Sequence, residues 1–312
     1  TSTLATVTAT VDDGSGPYTL SSTGNAGYSV TFGGVCNSTT GNGTGTATCT
    51  INAPISADKA ITVAYAPIPY TLTANATGNG SGTSVVSSLG GISFAYNPGA
   101  GTDSETFTVE TLANTLTATA AAGSVVSAIT GCPGATGGIG GVIATCIVPA
   151  GTTGDQTVLF TFTTYTVTAN ATGAGSGTVT STLLTISYAY PAFSTDSELT
   201  DGLTAVTHTA TANAGSTVAW SGDCDSTTGN GTGTATCTIN APFTVNKTSL
   251  ATFTPITYNL TVVIGSSGSV AGTGTGGWTY AGSTPGSATT FNITNLNLTL
   301  VATPAPGYTG AS

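Results

Sequence analysis

The sequence predicts an all-β protein, laid out as a tandem array of small modules of about 94 residues, each with a cystine-stapled hairpin. Three observations carry this: an internal repeat, strand-type patterning without a helical stripe, and three cysteine pairs in step with the repeat. The stretch from Ser38 to Pro54 reads STTGNGTGTATCTINAP, and Ser226 to Pro242 repeats it residue for residue. Midway between them lies a looser copy, GCPGATGGIGGVIATCIVP, from Gly131 to Pro149. A second marker keeps the same step, starting at Tyr70 (YTLTANATGNGSGT), Tyr165 (YTVTANATGAGSGT) and Tyr258 (YNLTVVIGSSGSVAGT). Fixed-period self-similarity of this kind is the signature of an array.

One unit opens with Tyr-x-Leu/Val-Thr, a Gly-rich turn and Ser-Gly-Thr. An aromatic strand follows (Ile92–Tyr96, Ile186–Tyr190, Trp278–Tyr280), then an alternating Thr-rich strand (Leu116–Ser124, His208–Ser216, Leu298–Gly307). Next, an apolar residue (Phe32, Ile129, Trp220) precedes the cystine hairpin. A last strand closes the unit (Ile61–Ile68, Thr157–Thr164, Ser249–Ile256). Thr, Val, Ile and aromatic residues alternate in these segments, and Gly, Asn and Pro punctuate them, which is the pattern of half-buried strands. Asn42-Gly43 and Asn230-Gly231 suit tight primed turns.

The cysteines pair as Cys36/Cys49, Cys132/Cys146 and Cys224/Cys237. Zinc would need four ligands per site, and His208 is the only histidine. Local disulfides in an oxidising compartment are the expected outcome, which places the protein outside the cell or on its surface. Each bridge closes a short loop worth about 3 kcal/mol in the chain-entropy model.

Charged residues make up 4% of the chain, against roughly 25% in an ordinary soluble domain. Lys59 and Lys247 are the only basic side chains and the net charge is −10. Binding to nucleic acid or to an anionic membrane therefore has no electrostatic footprint. Disorder is not implied, because 39% of residues are hydrophobic. No apolar run reaches transmembrane length, so membrane insertion is not expected. The chain begins at Thr1 without a leader pattern, which reads as a processed chain or a segment of a longer one.

The order Tyr-x-Leu-Thr, Gly-Ser-Gly-Thr, Leu-Thr-Ala-Thr, Trp-Ser-Gly-Asp-Cys, Gly-Thr-Ala-Thr-Cys-Thr-Ile, Lys, Ala-Thr-Phe resembles the divergent InlB B-repeat, or bacterial repeat, modules. The nearest copy runs from Tyr165 to Phe253 and includes Trp220 to Cys224 and Cys237 to Ile239. The resemblance covers the chain beyond about Pro17. It implies small β-rich modules, sandwich or grasp in type, serving as stalks or adhesive spacers in large bacterial surface and secreted proteins. This sequence departs from the pattern in its low charge and in longer first halves, around Asn97–Thr111 and Pro191–Gly202.

The units are expected at 70–164 and 165–257, with a second half-unit in 1–69 and a first half-unit in 258–312. Two such halves could complete one another between copies, as in strand complementation. The expected function is therefore an extracellular structural protein, a filament, fibre or stalk subunit whose partners are copies of itself or neighbouring repeats. The alternative is an adhesin that takes a sugar or surface ligand on Tyr96, Tyr190 and Phe193, near Pro98 and Pro191.

No catalytic residue stands out. His208 occupies a slot that holds Leu20 and Leu116 in other copies, so it reads as a strand residue rather than a general base. The run from Gly272 to Gly277 matches G-x-G-x-x-G but opens no helix. No cofactor is expected. The weak candidates for Ca²⁺ are Asp103 and Glu105 with Asp196 and Glu198, in a Thr-Asp-Ser-Glu motif read first as a solvated loop. Lys59 and Lys247 share one repeat position and read as exposed. Ten N-x-S/T sequons occur; the glycosylation candidates are Asn42, Asn230, Asn75 and Asn170.

Overall fold

The computed structural model describes residues 9–11, 16–99, 101–108, 110–183, 185–264, 268–273, 278–282, 287–293 and 299–307. Among them every regular element is a strand. No helix among them is long and apolar enough to cross a membrane, which says nothing of a β-barrel. The start of the last Thr-rich strand at Leu298 and most of the Gly272–Gly277 motif lie outside the described residues. The chain divides into two compact units, Thr1–Thr164 and Tyr165–Ser312.

The first unit opens with β1 (Tyr18–Thr23), β2 (Tyr28–Gly34), β3 (Ser38–Thr40), β4 (Thr46–Ile51) and β5 (Ile61–Pro67). They form a three-stranded sheet, β1-β4-β3, and a two-stranded one, β2-β5. Nine further strands follow: β6 (Pro69–Gly78), β7 (Gly82–Ser87), β8 (Ser93–Tyr96), β9 (Thr102–Thr108), β10 (Asn114–Ala120), β11 (Val125–Thr130), β12 (Thr136–Gly137), β13 (Ile143–Val148) and β14 (Gln156–Thr163). These build a sandwich of two sheets, β12-β13-β10-β7-β8 and β11-β14-β6-β9. Leu72, Phe160 and Phe162 of one sheet share a core with Val85, Leu116 and Cys146 of the other. Strand β10 shows why the Thr-rich strands fold here: its residues alternate strictly between buried and half-buried, so Leu116, Ala118 and Ala120 face the core while the threonines face out.

The second unit repeats this design. Its strands are β15 (Tyr165–Thr172), β16 (Gly177–Ser181), β17 (Ser187–Tyr190), β18 (Thr195–Thr200), β19 (Val206–Ala212), β20 (Ser216–Gly222), β21 (Ser226–Thr228), β22 (Thr234–Ile239) and β23 (Lys247–Pro255). They form the sheets β17-β16-β19-β22-β21 and β18-β15-β23-β20. Phe253, Trp220, Val179 and Ile239 lie in its core. Five more strands, β24 (Tyr258–Ile264), β25 (Gly268–Thr273), β26 (Trp278–Gly282), β27 (Ser287–Ile293) and β28 (Thr299–Pro304), make the sheets β24-β27 and β26-β25-β28.

In each sandwich the first and last strands lie side by side in parallel, with Val167 opposite Lys247 and Leu72 opposite Gln156. The Ser-Gly-Thr glycine makes room for this packing. A Cβ on Gly177 would stand 2.2 Å from the Phe253 ring, and one on Gly82 would stand 2.5 Å from the Phe162 ring.

Two expectations change. The Thr-Asp-Ser-Glu segments are not solvated loops: they begin strands β9 and β18, which pair antiparallel with β6 and β15. Their acidic residues alternate onto the less exposed side of each strand. The Asn-Gly turns are not two-residue primed turns either. The connection spans Gly41–Gly45, positive φ falls on Gly41 and Gly43, and the Thr44 N–H donates to the Gly41 carbonyl.

Candidate functional site

Register fixes which residues are equivalent. Leu20, Leu116 and His208 each stand opposite a hairpin cysteine, Cys49, Cys146 and Cys237 respectively. Leu300 holds the same slot in β28, because Ala302 faces Val270 as Ala210 faces Val179. In both sandwiches this slot is sealed, with Leu116 and His208 at 0% exposure. Leu20 is 40% exposed and Leu300 is 48% exposed. The aromatic slot of the last strand behaves alike: Phe162 and Phe253 are fully buried, whereas Tyr65, which faces Val30 as Phe253 faces Val218, is 54% exposed.

Strand order shows what surrounds each slot. Among the described residues, strands β1–β5 correspond to β19–β23 without strands matching β15–β18 beside them, and strands β24–β28 correspond to β15–β19 without strands matching β20–β23. Each half-module presents apolar side chains, and among the described strands β5 pairs with β2 alone and β24 with β27 alone. Edges of this kind recruit further strands.

The three disulfides form as the spacing predicted: Cys36–Cys49, Cys132–Cys146 and Cys224–Cys237. In each, one sulfur sits in the core (Cys49, Cys146 and Cys237 are fully buried) and ties down the chain leading into the hairpin.

His208 proves to have partners. Its Nδ1 lies 2.7 Å from the Ser249 hydroxyl and its Nε2 lies 4.0 Å from Glu198 Oε1. Glu198 in turn accepts from the hydroxyls of Ser181 and Thr185. Burial holds the imidazole below its ordinary pKa, and the Glu198 carboxylate opposes that shift. Ser249 and His208 have the adjacency of a nucleophile and base, yet both are fully buried. The arrangement pairs Nδ1, the Ser249 hydroxyl and the Glu198 carboxylate within the core, and leaves Nε2 buried without a hydrogen bond.

Three of the four Ca²⁺ candidates, Asp103, Asp196 and Glu198, hydrogen-bond within the fold. Asp103 accepts from the backbone N–H groups of Ser93 and Ser104, and Asp196 from that of Ser197. Glu105 fills the slot of Glu198, with Oε2 buried and making no hydrogen bond. No group of three or more His, Cys, Asp or Glu side chains able to hold a metal gathers among the described residues. Asp155, near the Lys slot, accepts the Thr71 N–H, as Asn246 accepts that of Thr166. Acidic side chains here serve largely as caps on backbone donors.

The hairpin asparagines also have a structural role. Asn230 Oδ1 accepts the Trp220 N–H while its Nδ2 donates to the Trp220 carbonyl, and Asn42 does the same for Phe32. The amide thus stands in for a paired residue along strand edges β20 and β2. Ile139 occupies this place in the middle hairpin, and there β11 carries a bulge between Val126 and Ala128. Asn42 and Asn230 thus close strand edges as well as standing in the hairpin connections. Asn75 and Asn170 sit on the half-buried face of the central strands β6 and β15.

Of the aromatics weighed as a sugar platform, Tyr96 stacks on Phe162 and Tyr190 on Phe253, with ring centroids 5.5 Å apart in both cases. Only Phe193 stands out, 66% exposed.

No protein-family model and no curated protein matches the chain. Among solved structures the chain is similar to the Bacillus anthracis TIE protein, at 10% identity and a TM-score of 0.36 over 90% of this chain. It spans 64% of the length of that chain.

Proposed function

We propose that this chain is a non-catalytic extracellular structural protein, a subunit of a surface filament or fibre whose copies join head to tail by completing each other's half-modules. The disulfide-rich all-β fold is compatible with an extracellular structural role. The single observation that carries the assembly is that two core slots sealed in both sandwiches, by Leu116 and His208 and by Phe162 and Phe253, stand open at Leu20 and Tyr65. Burying such a side chain contributes about 1.5–3 kcal/mol.

The sandwiches supply the docking register. Strand β24 of one copy lies parallel to β5 of the next, with Leu260 opposite Lys59 as Val167 stands opposite Lys247. Asp58 then occupies the position of Asp155 and Asn246, ready to accept the Asn259 N–H as those two accept from Thr71 and Thr166. Gly268 takes the place of Gly177, and Tyr65 supplies the ring it must clear. A head-to-tail contact that does not close builds a filament, and a chain with 4% charged residues offers little repulsion between copies.

The test is size analysis and electron microscopy of the full chain over rising concentration. Filaments with an axial repeat of one chain are expected, and Tyr65→Asp, already exposed in the free half-module, should abolish them while leaving the circular dichroism unchanged. A chain that stays monomeric throughout rules the proposal out.

A further inference from the structure

The two half-modules do not merely add up to one sandwich; they carry one strand too many. Strand β1 pairs with β4 in the register that β19 takes with β22, and β28 pairs with β25 in the register that β19 takes with β16. A composite module has a single position between β25 and β4, so β1 and β28 compete for it.

Resting on the head-to-tail reading above, we propose that β28 is a removable cover on the β25 edge, and that β1 of the next copy displaces it during assembly. Two observations favour β1 as the strand that stays. The first is polar matching. The Ser22 slot holds Ala118 and Ala210 in the sandwiches, and the Tyr65 slot holds Phe162 and Phe253. Both polar departures fall in the same half-module, and they bond to each other: the Ser22 and Tyr65 hydroxyls lie 2.7 Å apart. Once the half-module is covered, this pair satisfies itself. If β28 took the position, Ala302 would replace Ser22 and leave the Tyr65 hydroxyl with no partner, which buried hydroxyls avoid. The second observation is that β28 is exposed along its whole length. It holds β25 by backbone bonds while burying little, so its release costs little apolar contact. In the free chain it keeps the β25 edge paired, which guards against indiscriminate edge pairing.

After exchange, β25 of one copy pairs with β1 of the next, with Val270 opposite Ser22 and Gly268 opposite Gly24, as Val179 stands opposite Ala210 and Gly177 opposite Ala212.

Cysteine pairs in the full chain test this. Directly opposed strand residues lie within disulfide reach. Val270→Cys with Ala302→Cys, once oxidised, pins β28 to β25; filament growth should stop and resume under mild reduction that leaves the native cystines, each with one sulfur in the core, intact. Mixing Ser22→Cys and Val270→Cys chains should give an intercopy crosslink. A crosslink between Ala302→Cys of one copy and Ala47→Cys of the next would instead place β28 on β4 and overturn the exchange. So would unimpeded growth of the oxidised Val270→Cys/Ala302→Cys chain. Failure of the unaltered chain to assemble defeats the head-to-tail reading itself, and the two results are thus separable.

Discussion

His208 and Ser249 differ from their counterparts as a pair: where one sandwich has Leu116 and Val158, the other has an imidazole against a hydroxyl. The groups facing His208 are Ser249, Glu198 and Ser181, with Trp220 alongside. Burial lowers the folded-state pKa of His208 below the unfolded value of about 6.5. The unfolded chain therefore takes up a proton first as pH falls, and stability is full above about pH 6.5 and declines as pH drops toward the folded value. The slope is at most about 1.4 kcal/mol per pH unit. Urea unfolding from pH 7 to pH 5 should show this decline in the second sandwich. The double substitution His208→Leu/Ser249→Val, which copies the first sandwich, should flatten it. That His208 lies on a strand face was legible from the Leu20 and Leu116 alignment. Its partner was not, because Ser249 lies 41 residues away and only the parallel β15–β23 ladder brings β23 under β19.

At the level of elements, strand periodicity and glycine punctuation located most of the sandwich, since alternation is what a two-sheet core imposes on sequence. Strands β9 and β18 are not legible in the sequence because their acidic residues resemble a loop; they pair with the central strands nonetheless, with Asp103 and Asp196 capping local N–H groups. The Asn-Gly pair signals only a backbone turn in the sequence, while in the fold its Asn side chain closes an open edge. Asn230→Ala should cost about 1–3 kcal/mol by leaving the Trp220 N–H and carbonyl unpaired. Ile139→Ala, at the bulged equivalent with no such bonds, should cost far less. Paired thermal melts of the two variants measure the difference.

For the whole molecule, the repeat phase shows which strands correspond, but it does not say with which neighbour β1 and β28 pair. The parallel placement of first and last strands in each sandwich has a mechanical meaning. Tension entering at Tyr165 and leaving at Pro255 pulls β15 and β23 along their lengths in opposite senses. All the rungs of that ladder are then loaded together, in shear, instead of peeling open one after another. The joint inferred between β24 and β5 has the same geometry, so a filament would be as strong across its subunit boundaries as within them. Pulling single chains by their ends should give high rupture forces for the two sandwiches. Rupture governed by the unfolding rate should be followed by extensions shortened by the 13 or 14 residues that each cystine withholds. In such a thread, the load limit is set by strand direction, and the hairpin crosslinks ration how much slack each module can release.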